Sequence, residues 1–524
     1  MLRLILVCLF LIFKIASSIY AEANDYDLLI LNGRVFDGMG SPWIRADIGI
    51  KGERIDSVGN LKNASAQKVI NAGGLYVSPG FIDAHTHAAN GLQSRELSLA
   101  KPLLEQGITS VVINHDGGGP ADLAGQEKRL LEHGLGVNTI QMVPHGSIRS
   151  QIMGSSDRSP SASELDQMKA LVRKGMDYGA FGLSTGLFYV PGNFSDTSEI
   201  IELAKVVAKY DGIHVSHIRD EADYSIGVVA AVDEIIAISE AAGLPGVISH
   251  IKNLGPRVWG LSTVLIQRIN AARERGIEVY ADQYPYSASV TSLSAALIPP
   301  AARKGGINAL RTRLHDESSL KWIRDGITEN LDRRGGADRI MIQGYVQDRS
   351  LEGKTLQMVS DSLGTNPIDL TIEIMIAGSP SIISFNMHND DINLLMQQSW
   401  TMTSSDGVLV GIGAGVPHPR SFGPFPRKIR KYVLEDEVIN LETAIRSMTS
   451  LPASVFRLQD RGVIRPGAIA DIAIFDLAEI KDVATYTDPH HLSEGMVHVL
   501  VRGKAALSNG EPTGELHGRV LKKR

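Results

Sequence analysis

The sequence predicts an α/β protein that consists of a (β/α)8 TIM-type barrel and a small β-sandwich domain built from both chain ends. Eight short apolar strand patterns follow one another between residues 74 and 407, and amphipathic helix patterns separate most of them. Ionisable residues stand at the end of strand after strand. In a barrel of parallel strands those ends converge on one face, which is where active sites lie.

The eight strand patterns are short apolar runs, most of which end in polar residues. In chain order they are GLYVSPGFIDAHTH, SVVINHDG, NTIQMVPHG, AFGLSTGL, GIHVSHIRD, PGVISHIKN, IEVYADQYPY and WTMTSSDG. Helix patterns such as STVLIQRINAARERG lie between them, with apolar residues at helical spacing. The gap from Tyr286 to Trp400 is too long for one helix, so we predict an insertion around residues 287–398 that covers the barrel mouth.

Both chain ends carry short β-rich runs separated by glycine turns, which are typical of antiparallel strands. Chain ends often lie close together at the surface of a domain. Residues 24–80 and 455–524 are therefore predicted to build one β-sandwich, which leaves residues 81–454 for the catalytic barrel.

Residues 1–23 have the layout of a cleavable signal peptide. Arg3 precedes an apolar run that stops at Lys14, and small residues follow. Because this run is shorter than the ~20 residues of a membrane span, we predict export to the periplasm or the medium without stable membrane association. The single cysteine, Cys8, lies in this segment, so the ligands of a metal in the mature chain would be histidines and carboxylates.

The composition is that of an ordinary globular protein. The chain has 524 residues and a net charge of −6, and no long basic run interrupts it. Nucleic-acid binding therefore has no electrostatic support. The composition leaves the oligomeric state open.

Histidines and an aspartate at the predicted strand ends indicate a metal centre. His85 and His87 are two residues apart on a strand, so they face the same side. His217 and His250 end consecutive strands, which lie only ~4.8 Å apart. Asp406 ends the last strand, which adjoins the first in a closed barrel. The alternative readings are a chance pair on a surface strand, core histidines, and a turn aspartate.

Asp116 ends the second strand, on the other side of the first. A buried carboxylate needs a partner, and a divalent ion supplies one. Four histidines and two carboxylates form a ligand set for one or two zinc ions or a related first-row metal. His115, the preceding residue, is expected to face the other way and either to support the ligands from outside the metal's coordination shell or to be structural.

These motifs resemble the amidohydrolase superfamily and, within it, the D-aminoacylase branch of N-acyl-D-amino-acid deacylases. The resemblance covers nearly the whole mature chain and rests on DLLILNGRVFDGMGSPWIRADIGI, GFIDAHTH, GLSTGLFYVPG, HVSHIRDEAD, ISHIKNLGP, YPYSAS, SSDG, HPRSFGPFPR and DPHHLSEGMVHVLVRGK. It implies a metal-dependent hydrolase that cleaves the amide bond of N-acyl-D-amino acids to a D-amino acid and a carboxylate.

The resemblance also implies roles for individual residues. His217 and His250 would hold a tightly bound zinc, and His85 and His87 would mark a second, weaker site. Asp406 would be the catalytic carboxylate, taking a proton from water and passing it to the departing nitrogen.

Two further groups are predicted around the metal. By the resemblance, the contacts to the substrate carboxylate would be Lys252, Tyr284 and Arg420. Three residues follow His217 closely: Arg219, Asp220 and Glu221. They could orient loops or the metal ligands from outside the coordination shell, or they could form a surface ion-pair cluster.

The sequence departs from the branch at two positions. Asp116 stands where a cysteine ligand is usual, and an oxygen donor is harder than sulfur, so manganese or cobalt become more acceptable beside zinc. Val290 stands where a small hydroxyl residue is expected, which changes the fine contacts to the substrate.

Two other functions remain open on the sequence. A cyclic-amide hydrolase of the hydantoinase or dihydroorotase kind uses the same barrel, but it usually bridges its metals with a carbamylated lysine. Lys252 is the nearest candidate, and it follows a histidine ligand. An exported binding protein that has lost its chemistry is the second alternative, although every ligand position except the cysteine is filled.

Overall fold

The computed structural model describes residues 25–413 and 415–523, so the predicted signal peptide lies outside the described residues. Its first five strands are β1 (Tyr26–Val35), β2 (Ile44–Lys51), β3 (Arg54–Gly59), β4 (Ala66–Asn71) and β5 (Tyr76–Pro79). β1, β2 and β3 are antiparallel neighbours, whereas β4 and β5 pair with β1 in parallel. Gly52, at φ +56°, makes the tight turn between β2 and β3.

The barrel begins directly after β5. Its first seven strands are β6 (Phe81–Asp83), β7 (Ile108–Ile113), β8 (Asn138–Gln141) with its continuation β9 (Val143–Pro144), β10 (Gly182–Gly186), β11 (Ile213–His217), β12 (Gly246–Ile248) and β13 (Val279–Gln283). Consecutive strands pair in parallel, as in Gly186 with His217 across β10 and β11. Every residue of β7 is buried, which is why these strands read as continuous apolar runs.

Helices connect the barrel strands and cover their outer side. They are α1 (Ala89–Leu92), α2 (Lys101–Leu104), α3 (Leu123–Leu131), α4 (His145–Met153), α5 (Ala162–Asp177), α6 (Thr197–Ala208), α7 (Val228–Ala242) and α8 (Ser262–Glu274). Ser161 and Glu164 form a capping box that fixes the start of α5. The apolar faces of α5 to α8 pack on the strands through residues such as Val172, Leu203 and Ile235.

An insertion follows β13 and has its own core. It contains β14 (Ser289–Ser292), α9 (Leu293–Leu297), α10 (Pro300–Arg303), α11 (Gly306–His315), α12 (Glu317–Arg333), β15 (Ile340–Gly344), α13 (Leu356–Leu363), α14 (Pro367–Ala377) and β16 (Ser381–Ser384). The three strands form an antiparallel sheet in the order β14, β16, β15. Leu297, Ile327 and Ile340 are among the residues buried between this sheet and the helices.

The chain returns to the barrel through α15 (Asn389–Met396) and β17 (Thr401–Thr403). β17 pairs with β13 in parallel. The ring closes just beyond the strand ends, because the amide of Asp406 donates to the carbonyl of His85 and the amide of His87 donates to the carbonyl of Gly407, each at 2.8 Å. The last helices are α16 (Pro424–Arg427), a π-helical segment (Lys428–Glu435), α17 (Leu441–Met448) and α18 (Ser450–Val455).

The remaining strands are β18 (Ile472–Phe475), β19 (Met496–Val501), β20 (Lys504–Ser508), β21 (Glu511–Pro512) and β22 (Val520–Leu521). β18 pairs antiparallel with β5, so both chain ends share one nine-stranded sheet in the order β21-β20-β19-β18-β5-β1-β2-β3, with β4 beside β1. The last strand, β22, leaves this sheet and pairs with β8 of the barrel.

The predicted fold class, a barrel with a separate β-rich domain, is confirmed. The sheet of the β-rich domain curls on itself, because Ile55 of β3 exchanges backbone hydrogen bonds with Gly467 and Ala468, just before β18. Within residues 25–413 and 415–523, no helix has both the length and the apolar character needed to cross a bilayer.

Lys428 is a buried lysine that lies outside the predicted site. Its Nζ donates to Thr403 Oγ1 at 2.8 Å and to Ser447 Oγ at 2.9 Å. Burial lowers the pKa of Lys428 from 10.5 to about 7. An amine in this position favours the neutral form, because two hydroxyl groups replace little of its hydration.

Replacing Lys428 with methionine is expected to remove a pH dependence of stability. Between about pH 7 and pH 10 the unfolded chain keeps a proton that the folded chain has lost, so the unfolding free energy of the unsubstituted protein rises with pH there. The variant should be more stable by roughly 2–4 kcal/mol near pH 7, with the difference shrinking towards pH 10. Denaturation midpoints measured across this range test it, and a constant difference contradicts it.

Candidate metal centre

Three residues that follow barrel strands have an unusual backbone conformation. Asp116, His250 and Asp406 adopt positive φ values of 56°, 38° and 48°. This left-handed region is uncommon for residues other than glycine, and such residues cluster at functional sites. The chain thus leaves three barrel strands through sharp turns at the residues predicted to bind a metal.

Four of the predicted ligands meet at one point. One side-chain atom from each of His85, Asp116, His250 and Asp406 lies within 4.8 Å of the others. Asp116 Oδ1 is 3.5 Å from His85 Nε2 and 3.6 Å from His250 Nε2. Asp406 Oδ1 is 3.6 Å from His85 Nε2. These separations suit donor atoms that surround one cation.

His87 lies at the open side of this group. Its Nε2 is 3.1 Å from Asp406 Oδ1 and 3.4 Å from Asp116 Oδ2, and its side chain is 35% exposed. The structure therefore brings both histidines of the FIDAHTH motif to the same two carboxylates.

A second group overlaps the first at His250. Donor atoms of His217, Glu221 and His250 also lie within 4.8 Å of one another. His217 Nδ1 is 2.9 Å from His250 Nε2, and His217 Nδ1 is 3.9 Å from Asp116 Oδ1. Because the two groups share a histidine, the cluster has donors for one ion or for two neighbouring ions.

Unsatisfied buried atoms show that the cluster fits a cation. Both ring nitrogens of His85, Asp116 Oδ1 and His217 Nε2 are buried without a hydrogen-bond partner in the described part of the chain. Leaving such groups unpaired costs about 1–3 kcal/mol each. Nitrogen and carboxylate donors are those that zinc and related first-row ions take, so a divalent ion would satisfy His85 Nε2 and Asp116 Oδ1, which face each other at 3.5 Å.

The electrostatics of the cluster also favour a bound cation. Burial alone would raise the pKa of Asp116, but His85 and other histidines hold it well below its usual range. For Asp406, Arg420 and then the histidines outweigh burial in the same way. Both carboxylates are therefore ionised in the folded protein and need positive charge beside them, which a divalent ion provides.

The three residues predicted to contact the substrate lie together on one side of the cluster. Arg420 Nη1 donates to Asp406 Oδ2 at 2.7 Å. Lys252 Nζ donates to Glu221 Oε1 at 2.5 Å and lies 2.8 Å from His250 Nδ1. Both cations face the ring of Tyr284, at 5.0 Å for Arg420 and 5.7 Å for Lys252.

The three residues predicted to support the centre have different surroundings. Glu221 Oε1 lies 3.0 Å from His250 Nδ1, the arrangement of a carboxylate that orients a histidine ligand. Asp220 accepts from the backbone amides of residues 222, 225 and 227 and so shapes the loop. Arg219 pairs with Glu234 at 2.8 Å, outside the cluster.

Two carboxylates that the sequence analysis did not single out lie beneath the centre. Asp282, within β13, accepts from the amide of His250 at 2.9 Å and from Ser404 Oγ at 2.7 Å, and its other oxygen is 3.8 Å from His85 Nδ1. Asp83, within β6, accepts from the amide of Ser405 at 2.9 Å. The available signal was a charged residue inside an otherwise buried strand, which needs a partner.

His115 does not face away from the centre, as the strand alternation predicted. Its ring stacks on His85 at 3.8 Å between centroids. The prediction is wrong because β7 ends at Ile113 and Asn114 turns the backbone at φ +69°, so alternation no longer applies.

The cluster opens into a cavity of about 550 Å³. Five of the six predicted metal ligands line it, His85 being the exception. Lys252, Tyr284 and Arg420 line it as well. The insertion supplies another wall, with Ser289, Val290 and Arg334. This volume suits a small molecule.

Comparisons with known proteins agree with this geometry. Residues 68–506 match the amidohydrolase family. The N-acyl-D-glutamate deacylase of Alcaligenes xylosoxydans xylosoxydans is 34% identical, covering 95% of this chain and 96% of that protein. The D-aminoacylase of the same organism is 32% identical, covering 96% and 98%.

Solved structures give the same picture. The N-acyl-D-glutamate deacylase of Bordetella bronchiseptica, crystallised with zinc and a phosphonate mimic of the tetrahedral intermediate, is similar with a TM-score of 0.79 and 31% identity, covering 95% of this chain and 99% of that one. A D-hydantoinase has a TM-score of 0.58 at 16% identity, covering 95% and 99%, which shows a shared fold alone.

Proposed function

Because this chain belongs to the amidohydrolase family, we propose that it hydrolyses N-acyl-D-amino acids to a free D-amino acid and a carboxylate. The enzyme is a metal-dependent amidohydrolase. The observation that carries the proposal is that one cavity contains the histidine–aspartate cluster, which includes Asp406, together with Lys252 and Arg420. The names of the similar deacylases support the D-amino acid class.

The metal would be held by the cluster already described, in which His250 belongs to both groups of donors. A bound divalent ion makes water a stronger acid and an amide carbonyl a better electrophile. We propose zinc, and the zinc in the related crystal structure supports this. The oxygen donor of Asp116 makes manganese and cobalt acceptable too.

In this proposal Asp406 carries the proton. Its Oδ1 faces the histidines and its Oδ2 accepts from Arg420. Arg420 thus fixes the carboxylate and keeps it ionised, ready to accept a proton from water. The deprotonated water oxygen bonds to the acyl carbon, and Asp406 then donates the proton to the departing nitrogen, so that the C–N bond breaks and leaves a carboxylic acid and a neutral amine.

Lys252, Tyr284 and Arg420 would position the substrate carboxylate. The guanidinium of Arg420 can bind a carboxylate through two parallel hydrogen bonds. The hydroxyl of Tyr284 is a further donor, and among the described residues its one hydrogen-bond partner is Met387 Sδ at 3.7 Å. A free carboxylate next to the scissile amide would distinguish an N-acyl amino acid from a simple amide.

A cyclic-amide hydrolase receives less support. The only lysine that lines the cavity in the described residues is Lys252. Its Nζ also donates to the carbonyl of His250 at 2.9 Å, beside its ion pair with Glu221. It is therefore engaged by its neighbours rather than placed between the two donor groups.

A substrate screen tests the proposal. The enzyme is stripped with a chelator, reloaded with zinc, manganese or cobalt, and assayed on N-acetyl and N-succinyl derivatives of D- and L-amino acids and on hydantoins. We expect kcat/KM for D-isomers to exceed that for L-isomers by about 100-fold or more, the discrimination of a site that binds polar groups at fixed positions. Hydrolysis of hydantoins without hydrolysis of any N-acyl-D-amino acid contradicts it.

We also propose export to the periplasm or the medium, with cleavage near residue 23. Arg3 and the apolar run up to Lys14 support this. Amino-terminal sequencing of protein from the periplasm or medium should begin near Asn24. Recovery only from the cytoplasm, with residues 1–23 intact, contradicts it.

A further inference from the structure

Arg334 is a buried arginine that lines the active-site cavity from the side of the insertion. It is 1% exposed and directly follows α12. We propose that Arg334 forms a second anion subsite, so that the preferred substrates are N-acyl-D-amino acids that carry a second carboxylate. This inference rests on the proposed function and extends it to the choice of substrate.

The guanidinium of Arg334 has neutral neighbours. Its Nε donates to the Tyr224 hydroxyl at 2.7 Å, and its Nη1 lies 3.2 Å from the side-chain amide of Asn386, whose oxygen can accept. No carboxylate of residues 25–413 or 415–523 lies within 4.0 Å of it. A buried cation without a counter-ion is costly, and Arg334 borders the cavity of the metal centre, through which an anion can reach it.

The other permanent cations of the cavity differ in this respect. Lys252 forms an ion pair with Glu221, and Arg420 forms one with Asp406. Arg333, the neighbour of Arg334 in sequence, pairs with Asp223 at 3.1 Å. Arg334 therefore differs from Lys252, Arg333 and Arg420 in having no carboxylate partner among the described residues.

The charge of the cavity lining leads to the same substrate class. Among the described residues, its carboxylates are Asp116, Glu221 and Asp406, and its permanent cations are Lys252, Arg334 and Arg420. These charges balance before any metal binds. With one divalent ion bound, this lining has a net charge of +2, which favours a substrate with two carboxylates over a substrate with one.

Contacts between neighbouring residues link Arg334 to the metal ligands along the lining of the cavity. Tyr224, which holds its Nε, packs edge-on against Phe188 at 5.4 Å, and Phe188 lies 5.7 Å from His217. Asn386 contacts Ser289 Oγ at 3.2 Å, and Ser289 also lines the cavity. The proposed subsite therefore belongs to the same cavity as the metal ligands.

The second carboxylate can belong to the amino-acid side chain or to the acyl group, since an arginine binds either in the same way. N-acetyl-D-glutamate and N-acetyl-D-aspartate represent the first source. N-succinyl-D-leucine represents the second, and N-acetyl-D-leucine is the substrate with one carboxylate.

Steady-state assays of the metal-loaded enzyme on these compounds test the proposal. We expect kcat/KM for at least one source of the second carboxylate to exceed that for N-acetyl-D-leucine by about 10- to 100-fold. Arg334→Met should abolish that preference while leaving N-acetyl-D-leucine within about threefold, and Arg334→Lys should retain part of it. Arg333→Met is the matched control and should keep the preference.

Inhibition of the unsubstituted enzyme gives an independent readout that needs no variant to fold. D-glutamate should inhibit at lower concentration than D-leucine if the side chain reaches Arg334, and succinate should inhibit more strongly than acetate if the acyl group does. Equal kcat/KM values for all four substrates, or a preference that survives Arg334→Met, overturn the inference while leaving the deacylase proposal intact. Failure to hydrolyse any of them overturns both.

Discussion

Asp406→Asn is expected to lower kcat by about 1,000-fold, the range in which a positioned general acid–base group contributes. The asparagine has nearly the same shape and can still place an oxygen near the metal. However, its amide cannot take the proton from water or return it to the departing nitrogen. Arg420 also loses the charge with which it forms a 2.7 Å ion pair, so some loss of stability should accompany the loss of turnover.

The kcat of Asp406→Asn should be measured with saturating N-acyl-D-amino acid and added metal, alongside the metal content by elemental analysis. The control is Asp390→Asn, which changes an exposed carboxylate at the start of α15. Turnover close to that of the control, with the metal retained, would show that the proton travels by another group.

His250→Ala is expected to have the largest effect on metal binding. His250 belongs to both groups of candidate donors, so its removal opens both at once. Loss of one protein ligand should weaken metal binding by at least about 100-fold, more than the loss of a supporting residue does. Without added metal, activity should fall below detection.

Metal content after gel filtration, together with competition against a coloured chelator, measures this effect without reference to turnover. The control is His491→Ala, a half-exposed histidine that pairs with Asp488 on the surface. If His250→Ala retained metal as well as His491→Ala does, the ion would have to be held elsewhere.

The sequence was sufficient to predict that the metal-ligand candidates lie close together, because parallel barrel strands end at one face. A histidine or aspartate at the end of a strand has its position fixed by the ring, however distant its neighbours are in sequence. His85, His217 and Asp406 are brought together in this way. Their chemical roles remain predictions that the variants above address.

The contacts that tune the cluster could not be predicted, because they depend on loops and on long-range packing. Arg420 reaches Asp406 from a loop fourteen residues later in the sequence. Arg334 enters from the insertion, where nothing in the sequence distinguishes it from Arg333. The role of Asp282 could not be read from its strand pattern, because its partners, the amide of His250 and Ser404 Oγ, lie just after two other strands.

The pairing of β5 with β18 has a consequence for biosynthesis. Val77 and Ile474 are neighbours in the sheet, yet roughly 400 residues must be synthesised between them. At ~5–20 residues per second, a ribosome needs about 20–80 s to supply the partner strand. Until then β5 has an open edge, which is the kind of surface that draws nascent chains into aggregates. Completion of this sheet is therefore a late event that follows translation of almost the entire polypeptide.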